Sequence, residues 1–142
     1  MTISLLTAGT TVPSQTASQL LPITVPLSPV NQTLATTTIT LTPDSPTNNR
    51  VLLDSTIGVA AQLNVPQVVV RIFRNSVLIF SSQQGLQNAA EQFYTIRAVT
   101  ADFNLVPGTY TYTLTIERLA AGTPAAVQGP ITLSALAFGP IL

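Results

Sequence analysis

From Thr109 to Glu117 the chain reads TYTYTLTIE, with Tyr110, Tyr112, Leu114 and Ile116 at every second position and threonines between them. A period of two predicts a strand with one buried face. In VLLDSTIGVA, residues 51–60, Val51, Leu53, Ile57 and Val59 share a face while Asp54 and Thr56 point the other way, which predicts a half-buried strand. The stretch VPQVVVRIFRNSVLIFSS, residues 65–82, carries two apolar runs that meet at Asn75-Ser76. Asparagine tolerates the left-handed backbone of a two-residue turn, so the expectation is a β-hairpin. Further strands are predicted over LATTTITLT (34–42), Phe93 to Ala101 and ITLSALAFG (131–139). Between them, PDSPTNN (43–49), Pro107-Gly108 and AAGTPAAVQG (120–129) read as turns or loops, and QQGLQNAA (83–90) as a loop or one short helical turn. About six to eight short strands, with no amphipathic helix of any length, predict an all-β fold, a single sandwich or jelly roll.

The N-terminal third breaks this regularity. In LLPITVPLSPV, residues 20–30, an apolar alternation is interrupted by Pro22, Pro26 and Pro29, each of which lacks a ladder donor and biases its predecessor toward extended backbone. The expected organisation is an extended Thr/Pro/Leu-rich N-terminal arm over residues 1–33, followed by a β-sandwich domain over 34–142. Such an arm either packs on its own domain or docks on a neighbouring copy by strand addition. Docking on a neighbour is the expectation, with Leu20, Leu21, Ile23, Val25 and Leu27 as anchors, because no charged residue precedes Asp44 and nothing in the arm would have to be desolvated as an ion. The prolines would also keep free arms from pairing with one another.

Composition sharpens this picture. Only 7% of the 142 residues are charged and the net charge is zero, against a usual charged share of about 25%. A surface that poor in charge tends to associate. All five cations are arginines, and no basic cluster exists to neutralise a phosphate backbone, so no nucleic-acid partner is expected. The chain has no His, Cys or Lys, which removes the usual general base, the thiol nucleophile, the Schiff-base amine and the best transition-metal ligands. Its acids are scattered singly, without calcium-loop spacing. No enzymatic activity, catalytic residue, metal or cofactor is expected. Asp54 and Arg97 sit within strand patterns and read as charges on a solvated face in preference to a buried pair. Tyr110 and Tyr112 read as core or interface aromatics in preference to the lining of a ligand pocket. The N-terminus lacks the basic start and apolar run of a Sec signal peptide, and no run of about eighteen apolar residues predicts membrane insertion.

The run VPGTYTYTLTIERL, a loop and the closing ITLSALAFGPIL resemble the final strands of the TNF-like jelly roll of BclA-type exosporium proteins of spore-forming bacilli. The resemblance covers roughly residues 50–142 and implies a homotrimer, with Tyr110, Tyr112, Leu114, Leu136 and Phe138 at the trimer or core interface. The chain has no collagen-like stalk. With its arm it is instead similar to the subunits of endospore appendages, pilus-like fibres in which one subunit's arm docks into the next. The absence of cysteine restricts that likeness to a non-covalent, Cys-free kind. What the resemblance implies is a structural, self-assembling fibre subunit on an extracellular surface, the exosporium or an appendage, with anchor and tip proteins as further partners. Two other readings stand beside it: a trimeric head that recognises a receptor or glycan through its loops, and a capsid or phage decoration protein.

Overall fold

The alternations expected between Leu34 and Gly139 appear as strands in a computed structural model, which describes residues 2–17, 22–87 and 93–140. Nine strands occur among these residues: β1 (Ile3–Ser14), β2 (Ile23–Thr24), β3 (Gln32–Leu41), β4 (Arg50–Ala61), β5 (Gln67–Arg74), β6 (Val77–Gly85), β7 (Phe93–Phe103), β8 (Gly108–Arg118) and β9 (Ala125–Pro140). They form two sheets, ordered β1-β9-β4-β7, with β2 also paired to β9, and β3-β8-β5-β6. Every ladder is antiparallel. From β3 onward the chain alternates between the layers, visiting the second sheet with β3, β5–β6 and β8 and the first with β4, β7 and β9. The fold is an all-β sandwich of the jelly-roll kind.

The inner faces follow the period of two. Val51, Leu53 and Ile57 of β4 and Leu133, Ala135 and Ala137 of β9 meet Ile39, Leu41, Ile72, Leu114 and Ile116 of the other sheet in one apolar core. The hairpin forms where expected: Asn75 takes φ 54°, its amide donates to Thr111 O at 2.7 Å, and its side-chain oxygen accepts from Thr111 N at 3.0 Å.

Three expectations change. β4 is half-buried only over its first part; from Ile57 to Ala61 every residue is buried. The segment 120–129 is not all loop, since Ala125, Ala126 and Val127 are buried and pair with β4, so β9 runs for 16 residues. β6 continues to Gly85 and Leu86 is fully buried, so the polar stretch from Gln83 begins as strand; residues 88–90 of that expectation lie outside the described residues.

The largest difference concerns residues 1–33. Strands β1 and β2 both pair with the same edge of β9, with Ile3 opposite Pro140, Ser14 opposite Ile131 and Ile23 opposite Val127. Between these two pairings β9 carries a bulge: Ile57 pairs with Ile131 and Val59 with Val127, so Gln128, Gly129 and Pro130 oppose Gly58 alone. Gly58 is required there, since a Cβ would lie 1.8 Å from Gly129 O. Past β2, Val25 donates to Ala125 O at 3.0 Å and is completely buried, and the chain then crosses to the second sheet through backbone bonds between Pro26, Ser28 and Arg118. The prolines therefore bracket a two-residue strand and shape a crossover; none removes a donor from the middle of a ladder. The expected domain start at residue 34 falls inside β3.

The placement of Val25 is checked by comparing it with Val30, which is 62% exposed. Val25→Ala is expected to lower the unfolding free energy of the dilute chain by about 2 kcal/mol, and Val30→Ala by less than about 0.5 kcal/mol, in urea denaturation. Equal effects at both positions would contradict the core assignment of Val25.

Candidate functional site

The two outer faces of the sandwich differ in chemistry. On the second sheet, Thr38 and Thr111 share a hydrogen bond at 3.0 Å, Thr40 and Thr109 share another at 3.1 Å, and Thr36 pairs with Thr113, so the β3–β8 surface is a threonine ladder. On the first sheet, the register builds a different surface. Leu5, Phe138, Arg50 and Phe103 stand opposite one another in one cross-strand row, and Ala8, Leu136, Leu52 and Ala101 in the next. Beyond them, Thr10, Ser134, Asp54 and Val99 form a mixed row. The apolar rows are open: Leu5 is 57% and Phe103 59% exposed, and Ile3 and Leu52 are exposed as well. A contiguous apolar patch spanning four strands is uncommon on a monomeric surface and marks an interaction site. In cross-strand geometry the members of each row lie close enough to act as one surface.

The expected site residues divide between core and surface. Leu136 and Phe138 are half-buried and belong to the apolar outer rows. Tyr112 and Leu114 are buried in the core between the sheets, because β8 turns that face inward, and neither reaches the surface where another copy could touch it. Tyr110 is half-buried against the core, its hydroxyl donating to Val106 O at 2.6 Å. Among the arm residues, Ile23 packs against the chain's own core and Val25 lies within it, while Leu27 is exposed beside Arg118. Leu20 and Leu21 lie outside the described residues.

Three ion pairs set the electrostatics. Arg97 and Asp54 pair on the outer face of the first sheet at 2.8 Å, exposed to solvent, and such a pair contributes little. Arg71 pairs with Glu117, whose side chain is only 2% exposed and whose Oε2 has no protein partner. At the loop end of the sandwich, Arg74 Nη1 reaches both oxygens of Asp102 at 2.6 and 2.8 Å, Tyr112 Oη donates to Oδ2 at 3.0 Å, and Phe103 N donates to Oδ1 at 3.1 Å. Asp102 on β7 is thereby tied to β5 and β8 of the opposite sheet. The signal for these buried pairs was thin, because Glu117 and Asp102 sit singly in strand patterns; strand pairing brings Arg71 near Glu117, and the packing of one sheet on the other brings Arg74 to Asp102.

Among the described residues no three His, Cys, Asp or Glu side chains gather to hold a metal ion, and no helix is long and apolar enough to cross a membrane. A cleft of about 320 Å³ lies at the β9 bulge, lined by Gly58, Phe93, Tyr94, Gln128 and Pro130 among others, with no charged group in its lining.

No family model matches the chain, and no curated protein matches it. Among solved structures it is similar to the crystal structure of dimeric latent PorU from Porphyromonas gingivalis, with 13% sequence identity and a TM-score of 0.45. That match covers 94% of this chain and 13% of the PorU chain, so the chain spans about an eighth of the length of the protein it matches.

Burial pushes the Tyr112 phenol well above its ordinary value, and the neighbouring Asp102 carboxylate pushes it further the same way. A raised pKa means that the folded state holds the proton more tightly, so this contribution to stability is complete below the unfolded value of about 10 and is lost as pH rises above it. Tyr112→Phe is expected to cost about 1 kcal/mol at pH 7 and to flatten the loss of stability between about pH 10 and 11.5, followed by urea denaturation. An unchanged alkaline slope in the variant would contradict the buried position of the phenol.

Proposed function

We propose that this chain is a structural, self-assembling subunit whose copies associate through the outer face of the β1-β9-β4-β7 sheet, building a fibre on a cell or spore surface. The observation that carries the reading is the apolar pair of rows around Phe138, Leu136, Leu52 and Phe103, facing solvent on a chain with very little charge to keep copies apart. Nothing in that face resembles a reaction centre: its polar groups are threonines, serines, one arginine and one exposed ion pair. Burying each of the large exposed side chains contributes about 1.5 to 3 kcal/mol, enough in sum to offset the loss of translational and rotational freedom on association.

The trimeric arrangement and the axial stacking of the endospore-appendage resemblance belong to this proposal as its finer form. Docking of the N-terminal segment into a neighbour takes a definite shape: residues 3–14 and 23–24 would occupy, on the neighbour's β9, the register they occupy on their own. Such an exchange gains no new kind of contact, so it depends on the sheet-face association to bring the copies together first.

The purified chain is expected to form multimers by light scattering and elongated particles in negative-stain micrographs. Phe103→Glu combined with Leu5→Glu places charges in an exposed apolar row and is expected to give a monodisperse monomer, with a urea midpoint close to that of the parent chain. A parent chain that stays monomeric, or a double variant that assembles as the parent does, would overturn the proposal.

A further inference from the structure

The arginines of this chain are nearly all accounted for. Arg71, Arg74 and Arg97 each pair with a carboxylate. Arg118 bonds the backbone carbonyls of Val25 and Ala120. Arg50 alone among the described arginines has neither a carboxylate nor a hydrogen-bond partner, and it stands exposed in an otherwise apolar row of the sheet, between Phe138 and Phe103. On the acidic side, Asp54, Asp102 and Glu117 are paired, and Asp44 is the described carboxylate that meets no cation. Its one side-chain partner is the Thr42 hydroxyl, which holds the carboxyl below its ordinary value and keeps it anionic.

The two unpaired charges lie at the same end of the sandwich. Arg50 lines a cleft of about 140 Å³ with Ile3 and Phe138, and Asp44 lines another of about 440 Å³ with Leu5 and Pro46. Pro140, the last residue of β9, belongs to both walls. One patch therefore presents a cation, an apolar ridge and an anion in sequence. An unpaired charge inside an apolar row weakens association unless the partner supplies its counter-charge. The patch carries that counter-charge itself, so the surface complementary to it is a second copy of the same patch.

We propose that Arg50 of one copy forms an ion pair with Asp44 of the next, fixing the register in which the apolar faces meet. This rests on the self-association reading and names the contact that orients it. The pair selects orientation as well as strengthening binding: a placement that sets Arg50 against Phe103 or Phe138 of the partner leaves it desolvated and unpaired.

Charge reversal and mixing test it on the full chain. Arg50→Glu and Asp44→Arg are each expected to weaken self-association about tenfold or more in sedimentation velocity at low ionic strength. Each single variant juxtaposes like charges when it meets itself. An equimolar mixture of the two variants is expected to regain association, since Glu at position 50 then meets Arg at position 44, and Asp44 meets Arg50, across the contact. Single variants that associate like the parent would overturn the ion pair and leave the self-assembly reading in place. Weakened variants that the mixture does not restore would also overturn it, by placing the pair within one chain. A parent chain that stays monomeric throughout would overturn both.

Discussion

The structure depends on β9 serving two partners along its whole length. Sixteen residues alternate inward and outward without a break in period except at the bulge, with Leu133, Ala135 and Ala137 directed to the core and Ser134, Leu136 and Phe138 to the outer face. On one side it is bonded to β4; on the other, the N-terminal segment covers it twice, as β1 and as β2. The bulge at Gln128–Pro130 lies between the stretch of β9 that pairs with β1 and the stretch that pairs with β2. Gly58 and Gly129 make the bulge possible: a Cβ at the first would collide with Gly129 O, and one at the second would meet Thr16 O at 2.5 Å. Without the N-terminal segment, β9 would be an open edge of small and apolar residues, the kind of surface that pairs with other chains.

That arrangement also decides where the chain is sticky. The first sheet is closed at one edge by β1, whose Gly9 brings it close against β3, and Thr11 Oγ1 bonds Thr36 O at 2.6 Å across the gap. With that edge closed, the apolar outer rows are the broad unpartnered feature of the sheet. The opposite face of the sandwich carries threonines that bond one another along the β3–β8 pair. One surface is suited to water and the other to a second apolar surface, and both are written in the alternate positions of the same strands that supply the core with the intervening ones. The buried ion pairs play a different part: Asp102 with Arg74 and Tyr112 fastens the sheets together, so the outer face of the first sheet belongs to a fixed body.

Much of this was legible in the chain itself. The period of two in β4 and β8, the two apolar runs that meet at the Asn75-Ser76 turn and the polar stretch before β4 were enough to define an all-β sandwich and to assign inward residues of β4 and β8. β1 was not legible, because ISLLTAGTTVPS lacks strict alternation and carries two irregularities in its register; what makes it a strand is β9, 120 residues away in sequence. The prolines misdirected in the same way. They were read as obstacles to pairing, whereas they flank the short paired stretch and turn the chain between sheets. Glu117 and Asp102 stood out only as singly scattered acids, because strand periodicity says nothing about which cation a neighbouring strand or the opposite sheet will bring. The apolar rows were visible only as single residues, Leu136 and Phe138 among them, until the register set them beside Leu52, Leu5 and Phe103.

The central claim is that copies meet through the face of the first sheet and not through the threonine ladder. The chain contains no cysteine, so one introduced thiol carries one nitroxide label at a chosen place. Labels at Ala101, in the second apolar row, and at Thr38, in the threonine ladder, can be compared by electron paramagnetic resonance as the protein concentration rises. The account predicts that the Ala101 label becomes immobilised and shows dipolar broadening with association while the Thr38 label stays mobile. Immobilisation at Thr38 with a mobile label at Ala101 would contradict it.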